Sequence, residues 1–111
     1  MPEQCEVREY LTEDDRSPFS EWLDGLRDRR ARARIEARLA RVRLGNLGDY
    51  SPVGEGVQAL RIFSGPGYRV YFGFESNTIV VLLCGGTKSS QRRDITAAKA
   101  YWHDYRSRDD G

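Results

Sequence analysis

The 111-residue sequence is poor in the side chains that metal and redox chemistry usually need. His103 is its one histidine, and Cys5 and Cys84 lie far apart with no Cys or His at ligand spacing, so a zinc site is excluded and two free, partly buried thiols are expected. No cofactor is expected. No apolar run approaches the roughly 20 residues that cross a bilayer. The opening Met1-Pro2-Glu3-Gln4 lacks the basic-then-apolar pattern of a secretory signal, which gives the expectation of a cytoplasmic protein without membrane contact. A P-loop and a nucleophile elbow are both missing. Lysine is scarce as well: of 18 cationic residues only Lys88 and Lys99 are lysines, and the arginine fork suits phosphates better than an ammonium does.

What is present suffices for one small core, with 39% apolar residues and 4 Phe, 6 Tyr and 2 Trp, so a single domain over residues 1–111 is expected. The net charge of +1 conceals opposed blocks. Residues 1–28 carry three basic and nine acidic side chains, whereas residues 29–43 carry seven arginines against Glu36. Such asymmetry points to a local basic surface.

Cys5 to Tyr10 alternates as a short edge strand. Ser17-Pro18 opens a helix with Phe19, Trp22, Leu23 and Leu26 on one stripe, running to about Leu26. Ala31, Ile35, Leu39 and Val42 mark a second helix over 29–44, stopped at Gly45, and the two suggest an antiparallel helical hairpin. Four glycines and a proline make 45–56 a loop, long enough to have a role beyond connection. The period then changes to two, giving a β-hairpin over 57–74 turned at Gly65-Pro66-Gly67. After a turn at Ser76-Asn77, Ile79 to Cys84 reads as a central strand covered on both faces and ending at Gly85-Gly86. Ser89 or Ser90 caps a last helix with Ile95, Ala98, Trp102 and Tyr105 inward, fraying over 106–111. The order β-α-α-β-β-β-α is an α+β fold.

A three-residue loop sets Arg61 opposite Tyr71 and Phe63 opposite Arg69, all four pointing away from the core of Leu60, Ile62, Val70 and Phe72. Lys88 follows the central strand close to Arg69. Arg61, Arg69 and Lys88, with Tyr71 and Phe63 as stacking platforms, suit single-stranded nucleic acid, although a solvated or ion-paired sheet face has the same pattern. Arg30, Arg34, Arg38 and Arg41 form a helical stripe, either a phosphate footprint or a face neutralised by Glu21, Asp24 and Asp28. His103 reads as a surface residue, and Asp14-Asp15 and Asp109-Asp110 as solubility charges. An enzyme built from this set works by positioning and charge stabilisation.

The segments SPFSEWLDGLRD, ARARIEARLARVRLGNLGD, VGEGVQALRI, GPGYRVYFG and VVLLCGGTKSSQRRDI resemble the RelE/HigB-type toxins of bacterial toxin–antitoxin pairs, in the branch of phage-derived or addiction-module killer proteins. The likeness covers roughly residues 8 to 105. Its most specific part is LRI, GPGYRVYFG and GGTKS in fixed order. The resemblance implies a RelE-like fold, a helical hairpin on a small, mainly antiparallel sheet with a C-terminal helix. It also implies a metal-independent endoribonuclease, an mRNA interferase that cuts messenger RNA on the ribosome and causes growth arrest. The 2′-hydroxyl attacks the adjacent phosphorus, so a proton must be removed, the phosphorane neutralised and the 5′-oxygen protonated. Carried over by position, Arg69 matches the family's sheet arginine, Lys88 the basic residue after the last strand, and Arg61 a basic position on the preceding strand. Where RelE has a C-terminal tyrosine this chain has Asp94, which leaves Tyr71, Asp94, Tyr101 and His103 open as acid or base. The implied partners are the ribosome with its mRNA and a cognate antitoxin, often of helix-turn-helix type. A ParE-like toxin of the same fold that inhibits DNA gyrase by binding is the alternative, and a remnant that only binds its antitoxin is a third reading.

Overall fold

The computed structural model describes residues 4–109. Its elements are β1 (Glu6–Glu9), α1 (Pro18–Asp24), α2 (Arg29–Arg43), β2 (Tyr50–Gly54), β3 (Val57–Ile62), β4 (Tyr68–Ser76), β5 (Ile79–Thr87), a 3-10 turn at Lys88–Ser90, and α3 (Gln91–Asp109). Five strands form one mixed sheet in the order β1-β5-β4-β3-β2, antiparallel except where β1 runs parallel to β5.

Local chemistry sets the helix starts. Ser17 Oγ accepts the Ser20 amide at 3.1 Å with Pro18 in the first turn, and Asp28 accepts the amides of Arg30 and Ala31 at 3.0 and 3.2 Å. Because Asp28 caps α2 so soon after Gly25 closes α1, the helices share one sheet face without merging. The helix α1 packs on β5, and α2 on β1 and β3, rather than chiefly on each other as a hairpin would. Phe19, Leu23, Ala31, Ile35, Leu39 and Val42 fill the space over Leu60, Ile62, Val70, Phe72, Val80 and Leu82.

The opposite face is covered by α3. Val57, Ala59, Tyr71, Val81, Leu83 and Cys84 meet Ala98 and Trp102 there in a second core. The face of Arg61, Arg69 and Tyr71 is therefore an interior for most of its length, not the open surface expected, and Tyr71 is 0% exposed. The two-sided coverage expected for β5 is present, and both thiols are free, with Cys84 buried and Cys5 half-buried.

Three boundaries differ from the sequence expectation. The 45–56 stretch contains the edge strand β2, paired with β3 and bulged between Pro52 and Gly54; an edge tolerates proline because its missing N–H would face solvent. β5 runs on through Gly85 and Gly86 to Thr87 because helix side chains occupy the space over both glycines. Instead of fraying at 106, α3 continues to Asp109, tied down where Arg108 donates to the Leu11 carbonyl at 2.7 Å. The Asp110 part of the acidic-tail reading lies outside the described residues, as do Met1, Pro2 and Glu3 of the leader reading. No helix among the described residues is long and apolar enough to cross a membrane.

Candidate functional site

The β3–β4 connection has five residues, 63–67, closed by a turn in which Gly67 N donates to Ser64 O at 3.0 Å. The register therefore shifts by one pair. Arg61 stands opposite Arg69, and Ala59 opposite Tyr71, correcting the expected pairs. Parity is kept, so Arg61, Arg69 and Tyr71 still share a face. Gly86 completes the row on β5, directly beside Arg69.

Two arginines facing each other across a strand pair repel unless anions intervene. Arg61 has one: its Nη2 lies 2.8 Å from Asp49 Oδ1 on the 45–56 stretch. Arg69 has no carboxylate within ion-pair distance among the described residues, and neither does Lys88. Arg61 Nε, Arg69 Nε and the Tyr71 hydroxyl are all buried without a hydrogen-bond partner. Such groups normally cost about 1–3 kcal/mol each if nothing meets them. Arg61 and Arg69 keep part of their side chains at the surface, where an acceptor can reach the guanidinium groups, whereas Tyr71 is wholly buried. Lys88 opens the turn after β5, exposed, its amide donating to Gly67 O at 2.8 Å, so its backbone joins the same end of the sheet.

Asp94, in the first turn of α3, fills the space that a side chain at Gly86 would take. A methyl at Gly86 would lie 2.7 Å from Asp94 Cγ. Ser90 fixes the carboxylate by donating its hydroxyl to Oδ2 while accepting the Thr87 amide at 3.2 Å. The Asp94 side chain is 14% exposed, and Arg93 Nε reaches it only at 3.8 Å. Burial, then the Asp94 charge, push the Tyr71 hydroxyl up to about 12 despite the opposing charge of Arg69. Tyr71 thus stays protonated at neutral pH and can donate, but is a poor base. The Cys84 thiol is likewise pushed up to about 12, by burial first and Asp94 second, and is unreactive.

Two acid–base candidates stand elsewhere. Tyr101 stacks on Tyr10 with ring centroids 5.1 Å apart, and burial raises its hydroxyl. His103 is exposed beside Glu55, Lys99 and Arg106, roughly 13 Å along α3 from Asp94 at 1.5 Å per residue. The expected α2 stripe also divides. Arg38 is half-buried, donating to the carbonyls of Arg61, Leu47 and Asp49 at 2.6, 2.9 and 3.3 Å, while Arg30, Arg34 and Arg41 are exposed. Phe63 does not oppose Arg69. It lies past the end of β3, 78% exposed, beside Arg34 and Arg41 on the α2 side.

Sequence reasoning missed Asp49, and it read Ser90 only as a helix cap and Gly85-Gly86 only as the end of the strand, not as the setting that holds Asp94. The i, i+4 spacing of Ser90 and Asp94 was the available signal. No three His, Cys, Asp or Glu side chains converge among the described residues.

No family model matches the chain. It is 48% identical over 81 residues to a protein of Haemophilus influenzae (strain ATCC 51907 / DSM 11121 / KW20 / Rd) described as uncharacterized, covering 73% of this chain and 82% of that one.

Proposed function

The chain belongs to one family with that Haemophilus influenzae protein, and from the cluster just described we propose that it is a RelE/HigB-type toxin with a RelE-like fold, a metal-independent endoribonuclease acting on ribosome-bound mRNA and neutralised by an antitoxin. One observation carries the reading: Arg69, with no carboxylate partner among the described residues and a buried unmet Nε, stands between Arg61 and the slot holding Asp94. An unpaired guanidinium in a partly dry site is a strong receptor for developing negative charge.

In this reading the RNA 2′-oxygen bonds to phosphorus as its proton passes to Asp94, the acceptor of the cluster. Arg69 and Arg61 hold the phosphorane oxygens, Arg61 kept in place by Asp49. The bond from phosphorus to the 5′-oxygen breaks, and that oxygen takes a proton from the exposed Lys88 ammonium, which solvent restores as Asp94 releases the proton it took. A 2′,3′-cyclic phosphate and a 5′-hydroxyl remain. Tyr71, protonated and wholly buried in the core under α3, does not reach a bound strand and takes no part in proton transfer. His103 and Tyr101 have no part.

The test is induction without antitoxin, followed by mapping of mRNA 5′ ends. Wild type produces codon-phased cuts, whereas Arg69→Ala and Lys88→Ala relieve growth arrest with the fold retained. Undiminished toxicity in both variants refutes the site. Intact transcripts with broken chromosomes refute the nuclease in favour of gyrase inhibition.

A further inference from the structure

On the α2 face of the sheet, opposite the cluster and next to the 63–67 loop, lies a hollow of about 310 Å³ lined by Arg34, Ala37, Arg38, Arg41, Ile62 and Phe63. Its floor is fixed, because Arg38 donates to the carbonyls of Arg61 in β3 and of Leu47 and Asp49 just before β2. Its walls are apolar at Ala37 and Ile62. The Phe63 ring stands 78% exposed at the rim, and Arg34 and Arg41, two turns apart on α2, make no ion pair with any described residue. A large exposed ring lines the same hollow as two guanidinium groups without ion-pair partners among the described residues. It matches what an unpaired nucleotide offers, a flat base with an anionic backbone.

We infer that this hollow binds a single-stranded RNA nucleotide, its base stacked on Phe63 and its flanking phosphates held by Arg34 and Arg41. The inference builds on the nuclease reading in one respect: the strand that lies on Arg69 continues over the loop. Loop 63–67 joins the two, since Arg69 follows it by two residues and Lys88 bonds to its Gly67. An acidic peptide would satisfy the arginines but leave the ring without a matching surface. The volume, near the bottom of the roughly 300–1,000 Å³ range of small-molecule sites, fits one nucleotide rather than a helix.

The probe is a 2′-O-methyl oligouridine, which cannot be cut, with binding followed by fluorescence anisotropy over a range of salt. Phe63→Ala should weaken binding about 5- to 150-fold with an unchanged salt slope, because stacking releases no counterions. Arg34→Ala combined with Arg41→Ala should weaken binding and also lower the salt slope by about 1.4, two phosphate contacts at ~0.7 each. Phe63→Trp should restore binding, and melting temperatures should stay constant because the ring is exposed. Unchanged affinity in Phe63→Ala overturns the inference even if mRNA is cut in cells. Phe63-dependent binding by a protein that cuts no mRNA would retain the hollow and remove the nuclease. If polyglutamate binds in a Phe63-dependent way and the RNA does not, the surface serves an acidic protein and the inference falls.

Discussion

Gly85 and Gly86 are neighbours on one strand, yet the same change to alanine should do different things at each. At Gly86 the new methyl meets the Asp94 carboxylate, 2.7 Å from Cγ and closer to its oxygen, and Asp94 is the end of a movable side chain near solvent. The carboxylate swings out and loses the Ser90 hydroxyl. A charge-assisted hydrogen bond is worth ~1.5–3 kcal/mol, offset by ~0.4–1 kcal/mol from stiffening the unfolded chain, so the net loss is about 1–2 kcal/mol. At Gly85 the methyl lies 2.6 Å from Cδ2 of Trp22 and closer to other ring atoms, and that ring is packed between Phe19 and Tyr68 with centroids 6.0 and 6.3 Å away. The indole is held from two sides, and overpacking should cost about 3 kcal/mol, the upper end of the usual range. Urea unfolding followed by tryptophan fluorescence measures both. A double-mutant cycle isolates the cause: in an Asp94→Ala background, Gly86→Ala should fall to within ~0.5 kcal/mol of neutral. Under the proposed mechanism, mRNA cleavage should be lost equally in Gly86→Ala, Asp94→Ala and the double variant. Gly86→Ala costing as much without the carboxylate as with it would refute the slot.

Arg38→Ala removes three donors from backbone carbonyls and should destabilise by ~2–3 kcal/mol, read as a lowered urea midpoint at constant slope, whereas Arg34→Ala should be near neutral. His103→Ala should leave mRNA cleavage unchanged, because the imidazole is exposed at the far part of α3; a hundredfold loss would reopen the acid–base assignment. Alkaline pH should weaken the fold. The Cys84 thiol, ordinarily near 9, and the Tyr71 and Tyr10 hydroxyls, ordinarily near 10, are all held at about 12, so above pH 9 the native state binds more protons than the unfolded one and stability falls as pH rises. Urea midpoints taken at pH 9 and pH 11 check the sign, a Cys84→Ala background separates the thiol from the phenols, and an unchanged midpoint in both backgrounds would count against the buried phenols.

Helix caps and core stripes were legible because they are local: Ser17-Pro18 and the Ala31, Ile35, Leu39, Val42 stripe lie where their spacing puts them. β2 was hidden because Pro52 and the surrounding glycines carry loop chemistry, and only pairing with β3 makes the segment a strand. Faces were readable from parity, so Arg61, Arg69 and Tyr71 were grouped correctly. Register was not, since the tripeptide Gly65-Pro66-Gly67 does not show that Phe63 and Ser64 also leave the ladder. That one-pair shift separated Phe63 from Arg69 and joined it to α2. The slot over Gly86 needs β5 and α3 in contact, which no single segment encodes.

Both margins of the sheet are guarded against strand addition. β2 presents Pro52 and a bulge, while β1 is four residues long with Glu6, Arg8 and Glu9 turned to solvent. A binding protein therefore gains little by extending the sheet at either margin. It must grip helices and loop ends through their side chains, which makes its recognition a matter of matched charge and shape rather than of shared backbone hydrogen bonds.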